Sequence, residues 1–226
     1  ALTVTGKTET TGTLTCNDSA VSLGAAVTSG YALTVGDGGT FTGGTGTHTI
    51  GSFEGSGAGS GGSITLSSGN TTISSRNTSA SRFFEVSSNA NSFSNGGGSS
   101  KLIFTTAAGS NIVLNKSGAT LNNVQINHAS CVLTVLTSAM TIDGDLTITA
   151  GKLDIGILSG VPDLCVTGST QVTGTLDAAY SLEIELGSLT IEDGGEYSAT
   201  SYYTYLHDNF DNSGTFTHNS GKVVFS

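Results

Sequence analysis

Apolar and polar residues alternate along this chain in runs of three to five residues, and a turn of Gly, Asn, Asp or Ser follows each run. "LTITAGKLDIG" at 146–156 and "SITLSSGNTTIS" at 63–74 are examples. A period of two is typical of a strand with one buried face, and the Gly-rich breaks are typical of turns. No window shows the period of a helix. The pattern therefore predicts an all-β protein with almost no helix.

One strand-turn unit occurs twice in the chain. Residues 2–15 read "LTVTGKTETTGTLT" and residues 164–177 read "LCVTGSTQVTGTLD". A second match pairs "ALTVGDGGTF" at 32–41 with "SLTIEDGGEY" at 188–197. A sandwich or barrel gives each strand a different neighbour, whereas a solenoid places every coil in the same surroundings. The repeats therefore predict a parallel β-helix (β-solenoid), in which each copy meets the same neighbours in the coils above and below.

The size of a coil sets the length of the predicted solenoid. With roughly 18 to 25 residues per coil, the chain would form about ten coils, and a strand spacing of ~4.8 Å would give a rod ~50 Å long. The inward positions of the repeats should stack into a narrow core. These positions are Leu2, Val4, Leu14, Leu33, Val35, Leu164, Val166, Leu176, Leu189 and Ile191.

Composition supports this fold. Gly, Ser and Thr account for 100 of the 226 residues, 11% are charged, and there is one Pro and no Trp. Gly, Ser and Thr are weak helix formers, whereas Thr and Val fit strands. Leu, Val, Ile and Phe recur too often for a disordered chain. No run reaches the ~18 apolar residues of a membrane-spanning helix, so membrane insertion is not expected.

The net charge of −10 is unevenly distributed. Residues 1–113 contain four basic and five acidic side chains, and residues 114–226 contain three basic and twelve acidic ones. An acidic protein is a poor partner for nucleic acid or for an anionic membrane surface.

We expect a single domain over residues 1–226. Both "ALTVTG" and "GKVVFS" lie inside strand patterns, which predicts a processed product or a part of a longer chain, with at least one end covered by another subunit or by further chain. Irregular segments are expected at 51–62, 82–100 and 198–212.

"LTVTGKTETTGTL" and "NSGTFTHNSGKVVF" resemble the coil repeats of right-handed parallel β-helix and related β-solenoid segments in secreted bacterial adhesins, phage fibres and other virion appendages. The resemblance covers most of the chain. It implies a structural, noncatalytic component of an extracellular assembly, first a phage or virion appendage or coat protein located at the virion surface. The alternative is a segment of a bacterial surface adhesin or filament. The resemblance carries over no catalytic residue and no cofactor.

A third reading is a glycan-binding or glycan-cleaving β-helix, as some phage β-helices are. Glycan hydrolysis needs two acids about 5 to 10 Å apart. Asp143 with Asp145, and Glu183 with Glu185, are i, i+2 pairs that point to one side of a strand. "TIDGDLTI" is typical of a turn and "SLEIELGSL" of a strand with Glu outside, so solvated surfaces are the preferred interpretation. We therefore expect no enzyme.

Metal and cofactor sites are not expected either. The acids lack the spacing of a calcium loop. His48, His128, His207 and His218 are scattered without metal-ligand spacing, so we expect each at the surface or at a coil edge. "GSGAGSGG" at 55–62 lacks the Lys of a phosphate-binding loop and is interpreted as a loop between coils.

Threonine occurs repeatedly in Thr-x-Thr pairs, at 3/5, 8/10, 13/15, 40/42, 47/49, 147/149, 173/175 and 215/217. On a solenoid, such pairs could stack into a regular outer ladder of the kind that ice-binding solenoids use. Their irregular spacing in the sequence favours a plainer interpretation, in which Thr is the outward residue of a solvated strand.

The three cysteines have no metal-type spacing. Cys131 shares its parity with Leu133 and Val135, so it should face the core as a small apolar residue. Cys165 takes the position of Thr3 in the repeat and should face outward. A disulfide between Cys16 and Cys165 stays open.

Two aromatic clusters are candidate contact surfaces. The first contains Tyr202, Tyr203, Tyr205 and Phe210, and the second lies in "RFFEVSSNANSF" at 82–93. Rings bury a large area at a low entropic cost, which favours contact with another subunit or with a glycan. Packing under a loop is an equal explanation. The expected partners are other copies of the chain, other subunits of a virion or cell surface, and a cell-surface glycan.

Overall fold

The computed structural model describes residues 1–24, 26–55, 61–74, 82–107, 109–114, 119–136, 139–156 and 163–226. All regular secondary structure in these ranges is β-strand, which confirms the all-β prediction. These ranges contain no helix of the length and apolar character that crossing a membrane requires.

The described strands are numbered in chain order. The first thirteen are β1 Leu2–Val4, β2 Thr8–Thr10, β3 Thr13–Thr15, β4 Val21–Leu23, β5 Leu33–Val35, β6 Thr40–Thr42, β7 His48–Ile50, β8 Phe53–Gly55, β9 Ser63–Thr65, β10 Thr71–Ile73, β11 Arg82–Val86, β12 Ser92–Ser94 and β13 Lys101–Phe104. The others are β14 Gly109–Leu114, β15 Thr120–Leu121, β16 Asn123–Leu136, β17 Met140–Ile142, β18 Leu146–Ile155, β19 Leu164–Val172, β20 Thr175–Asp177, β21 Glu183–Ile191, β22 Glu196–Ser198, β23 Tyr203–Leu206, β24 Phe210–Asn212, β25 Thr215–Thr217 and β26 Lys222–Phe225.

Parallel pairing arranges these strands in three columns, which form three faces of a solenoid. Face A contains β1, β4, β7, β10, β13, the first halves of β16 and β18, the second halves of β19 and β21, and β24. Face B contains β2, β5, β8, β11, β14, the second halves of β16 and β18, and β20, β22 and β25. Face C contains two paired stretches. The first is β3, β6, β9 and β12, and the second is β15, β17, the first halves of β19 and β21, β23 and β26. Among the described residues, β12 contacts β15 without strand pairing, so the first four strands form a separate sheet. The chain makes about nine turns, close to the number predicted.

The register between coils keeps each inward side chain above another inward side chain. On face A, one inward ladder contains Val4, Leu23, Ile50, Ile73, Phe104, Ile126, Ile148, Val172 and Ile191. From Leu23 to Ile191 these side chains are almost fully buried. Most strands are only three or four residues long, so one coil buries little apolar surface by itself. The core therefore forms by stacking of inward side chains between coils.

Most of the predicted core positions are confirmed. Leu33, Val35, Leu164, Val166, Leu176, Leu189 and Ile191 are buried. Val4 and Leu14 are half-buried and pack against the core. Leu2 is 44% exposed, so its predicted burial is wrong. Its strand belongs to the first described coil and pairs only with β4, which leaves one side of Leu2 open.

The two copies of the repeat do not meet the same neighbours, which corrects the sequence prediction. Residues 2–15 occupy faces A, B and C in that order. Residues 164–177 begin on face C and continue on faces A and B. The second match is shifted in the same way, because Leu33 lies on face B and Leu189 on face A. The repeated unit is therefore one corner with its flanking strands, and it fits any corner because all three faces are apolar inside and polar outside.

Glycine permits close stacking at the corner between faces C and A. A Cβ atom on Gly44 would lie 1.6 Å from the carbonyl oxygen of Asn17 in the coil below, and the φ of Gly44 is +70°. The same two turns are joined by the Thr45 N–H, which donates to the Asn17 carbonyl at 2.8 Å. Only glycine combines that conformation with that contact.

Phe84 and Phe93, two of the aromatic residues of 82–93, pack into the core of the solenoid. Phe84 is fully buried and stacks on Phe53 with ring centroids 5.2 Å apart, and Phe93 and Phe104 meet the Phe84 ring edge-on. Core packing thus explains Phe84 and Phe93. Strands also cross the three segments predicted to be irregular, since β8 lies in 51–62, β11 and β12 lie in 82–100, and β23 lies in 198–212.

The corresponding leucines of the two repeat copies provide a stability test. Leu164 is fully buried, so Leu164→Ala should lower the free energy of unfolding by about 2–4 kcal/mol, because it leaves a cavity between two coils. Leu2→Ala should cost less than about 1 kcal/mol, because Leu2 is already partly in water. Urea unfolding of both variants measures the difference, with Thr190→Ala as an outward-facing control. Equal losses for the two leucines would contradict the placement of Leu2 in an end coil.

Candidate functional site

The structure brings three of the four predicted contact residues together on the outside of face C. Tyr203 and Tyr205 alternate along β23 with the buried Thr204 and Leu206, so both rings point outward. Their rings stack with centroids 5.8 Å apart and an interplanar angle of 17°. Tyr202 immediately precedes them and is 54% exposed. We call these three residues the tyrosine surface.

Charged side chains from the neighbouring coils lie beside the tyrosine surface. Glu183 and Lys222 are in register with Tyr203, one on each side, and Glu185 is in register with Tyr205. The Lys222 Nζ lies 5.4 Å from the centroid of the Tyr203 ring, a cation–π contact. The sequence-predicted pair Glu183 and Glu185 therefore borders the aromatic rings, outside the core as expected.

Phe210 lies apart from the tyrosine surface. It begins β24 on face A, in register with the inward residue Leu189. Its ring contacts Phe216 and Phe225, with centroid distances of 5.8 Å and 6.4 Å. Phe216 and Phe225 also hold inward register positions, on faces B and C. One phenylalanine from each face thus forms an aromatic cluster across the last described coil, and we call it the terminal aromatic cluster.

Asp143 and Asp145 form hydrogen bonds with neighbouring coils at a corner of the solenoid. An oxygen of the Asp145 carboxylate accepts the Ser169 N–H at 2.8 Å, and the Asp145 N–H donates to the side chain of Asn123 at 2.9 Å. The carbonyl of Asp143 accepts a hydrogen bond from Thr167. This agrees with the interpretation of "TIDGDLTI" as a turn.

A carboxylate pair that the sequence reasoning missed lies on face B. Asp154 and Asp177 are in register on neighbouring coils, and Lys152 lies two residues before Asp154 on the same strand. The Lys152 Nζ is 2.7 Å from Asp177 and 3.5 Å from Asp154. The hydrogen bond to Asp177, with the charges of both acids, raises the pKa of Lys152. The alternation Lys-Leu-Asp at 152–154 signals the outward side of a strand, but the contact with Asp177 depends on the register between coils.

A shallow groove of about 550 Å³ runs along this part of face B. Its lining includes Lys152, Asp177, Glu196, Ser198, Thr215 and Thr217. Polar side chains line the groove, and the positive charge of Lys152 offsets part of the negative charge of Asp177 and Glu196. Its hydroxyl and carboxylate groups could hydrogen-bond a sugar, which is the observation that keeps a glycan among the partners to be tested.

All three cysteines are free thiols, so the structure contains no bridge between Cys16 and Cys165. Cys131 is fully buried as predicted, and burial raises its pKa to about 11. Cys165 points outward with its Sγ 3.7 Å from a carboxylate oxygen of Glu185. Burial and this carboxylate raise the pKa of Cys165.

The predicted surface position of His48 is wrong, because this side chain lies in the core, whereas His128, His207 and His218 are partly or fully exposed. His48 is fully buried in register between Val21 and Thr71, and its ring meets Phe41 edge-on at 6.2 Å. Neither ring nitrogen has a hydrogen-bond partner of normal geometry. Burial lowers the pKa of His48, and the nearby carbonyls of Ser19 and Gly43 oppose that shift. Among the described residues, no group of His, Cys, Asp and Glu side chains could hold a metal ion.

Comparison of the chain with protein-family models, with curated proteins and with solved structures gave no match.

The buried histidine makes stability depend on pH. Because the pKa of His48 is lower in the folded chain than its unfolded value of about 6.5, the unfolded chain binds the proton first. The free energy of unfolding should therefore fall as the pH drops below about 6.5. His48→Leu should reduce this loss, and urea unfolding between neutral and mildly acidic pH measures it. The same slope in the variant and the parent chain would contradict this role of His48.

Proposed function

We propose that the chain is a structural, noncatalytic element of an extracellular assembly, with a phage or virion appendage or coat as the first setting. The observation that carries the proposal is the terminal aromatic cluster. Phe225 is 63% exposed and Phe210 is 38% exposed, although both hold register positions that are buried in every neighbouring interior coil. Apolar surface of this kind is stabilised when another coil or another subunit covers it.

The opposite end supports the same proposal. Leu2 is exposed and Val4 and Leu14 are only half-buried, so the first described coil also presents part of its core. Both ends carry strand edges with free hydrogen-bonding groups, which favour the addition of a further strand in register. Stacking of coils end to end is thus the association that the fold favours.

A segment of a bacterial surface adhesin or filament is the second candidate. The same open ends favour it, because a further coil of a longer chain would cover them as well as a separate subunit. The two candidates differ in what covers the ends: separate subunits in a virion, and covalently continuous coils in an adhesin. The tyrosine surface and the face B groove are the lateral surfaces available in either case for another subunit or a glycan.

Light scattering on the isolated 226-residue chain tests the role of the ends. We expect association that increases with protein concentration, because each end exposes apolar core. Replacing Phe210 and Phe225 together with Ser should weaken this association. Tyr180→Ser is the matched control, since Tyr180 is 70% exposed on the side of the rod. A parent chain that stays monomeric at high concentration would contradict the assembly role.

The tyrosine surface has its own test. Replacing Tyr202, Tyr203 and Tyr205 with Ser removes three outward rings from the side of the rod and leaves the ends intact. If this surface is a subunit contact, the size of the assembly in light scattering should fall while circular dichroism is unchanged. No change in assembly size would rule out the tyrosine surface as a contact between copies and leave a glycan or another subunit as its partner.

A further inference from the structure

Face C of the first four coils carries a regular array of hydroxyl groups. Each of the strands β3, β6, β9 and β12 presents two outward Thr or Ser residues on either side of one inward residue. The strands pair in parallel without a shift of register. The outward residues therefore form two ladders of four hydroxyls, which we call the hydroxyl face. The ladders are Thr13, Thr40, Ser63 and Ser92, and Thr15, Thr42, Thr65 and Ser94.

The array repeats in two dimensions. Neighbouring strands lie about 4.8 Å apart, and residues i and i+2 of a strand lie about 6.7 Å apart. Inward packing holds the strands in place, because Phe41 and Ile64 are fully buried between the two ladders. Each coil rests on the next, so the face is fixed before any ligand arrives.

The hydroxyls of this face are free to bond to a ligand. Within the described part of the chain, none of the eight makes a hydrogen bond to another protein group, and all are exposed or half-exposed. None of the eight positions is charged, and the nearest acids in sequence, Asp18 and Asp37, lie in the corner turns. A hydroxyl both donates and accepts, so the face can match a ligand that presents donors and acceptors in equal number.

We propose that the hydroxyl face binds the surface of ice. Ice is a lattice of water molecules in which every oxygen both donates and accepts hydrogen bonds and repeats on the scale of this array. Single hydroxyl contacts are weak, but eight contacts on one rigid face act together and need no rearrangement on binding. Bound chains stop the growth of ice between them. This activity goes beyond the structural role and does not depend on how the ends of the rod are covered.

The other Thr-x-Thr pairs do not form a comparable surface. Thr8 lies in register with the buried Leu33 and so points inward, and Thr147 lies on face A between Gln125 and Gln171. Thr215 and Thr217 point outward on face B, but Thr215 is in register with Glu196. Thr3 and Thr49 share a ladder on face A with Ser22 and Thr72, but each strand there presents one outward residue. The pairs 13/15 and 40/42 align residue for residue, one member in each of the two ladders, and Ser63, Thr65, Ser92 and Ser94 extend both.

The test measures ice growth directly. The purified chain should lower the temperature at which a single ice crystal grows below its melting point, and a fluorescently labelled chain should coat the crystal. The double variant Thr42→Lys with Thr65→Lys places two long charged side chains on the face. The double variant should reduce the gap between the melting temperature and the growth temperature of the ice crystal by about tenfold or more, because it interrupts a multivalent contact. Circular dichroism and urea unfolding check that the variant is folded.

Two further variants complete the experiment. Thr217→Lys is the matched control, because Thr217 is an exposed member of an outward Thr-x-Thr pair on face B and should leave ice binding unchanged. Replacing Ser63, Ser92 and Ser94 with Thr should increase the gap, since it adds methyl groups to the ladder without altering the strands.

Several results would overturn the proposal. A parent chain that neither coats ice nor changes its growth would do so, as would a Thr217→Lys variant that loses as much activity as the double variant. If the double variant instead turned an oligomer into a monomer in light scattering, the hydroxyl face would be a contact between copies.

Discussion

Register between successive coils is the constraint on which the rest of the structure depends. A coil of this chain contains three short strands and cannot bury its apolar residues alone. When the next coil pairs in parallel and in register, each inward residue lies on another inward residue, as Ile50 lies between Leu23 and Ile73. A slip by one residue would turn every inward side chain outward. The backbone ladder and the core thus specify the same arrangement.

The same constraint leaves the outward positions free to differ. Face C changes character along the rod, from the neutral hydroxyl face in the first four coils to the tyrosine surface with Glu183, Glu185 and Lys222 in the last three. The nearly neutral first half of the sequence therefore forms one part of the rod, and the acidic second half forms the other. Lateral surfaces of unlike chemistry can be built on one core because outward residues do not determine register.

Much of the fold could be predicted from the sequence, because alternation reports which side of a strand is buried. Alternation correctly predicted that Leu164 and Val166 face the core. The face on which a strand lies could not be predicted, because corner lengths vary and sequence spacing no longer counts coils. For this reason the Thr pairs at 13/15 and 40/42 looked unrelated, Asp177 was not connected with Lys152, and Phe210 was grouped with tyrosines that lie on another face.

The exposure of Leu2 shows that a sequence repeat determines which side of a strand faces inward but does not determine whether that side is buried. Leu2 and Leu164 hold the same place in matching sequences, yet one is 44% exposed and the other is buried. The sequence of a unit determines its own inward side, whereas burial needs a neighbour, and that neighbour belongs to another coil. The ends of a solenoid are therefore the positions where local sequence and local environment disagree. A coil or a subunit that covered Leu2 and Phe225 would supply the apolar contacts that an interior coil receives from the coils above and below it.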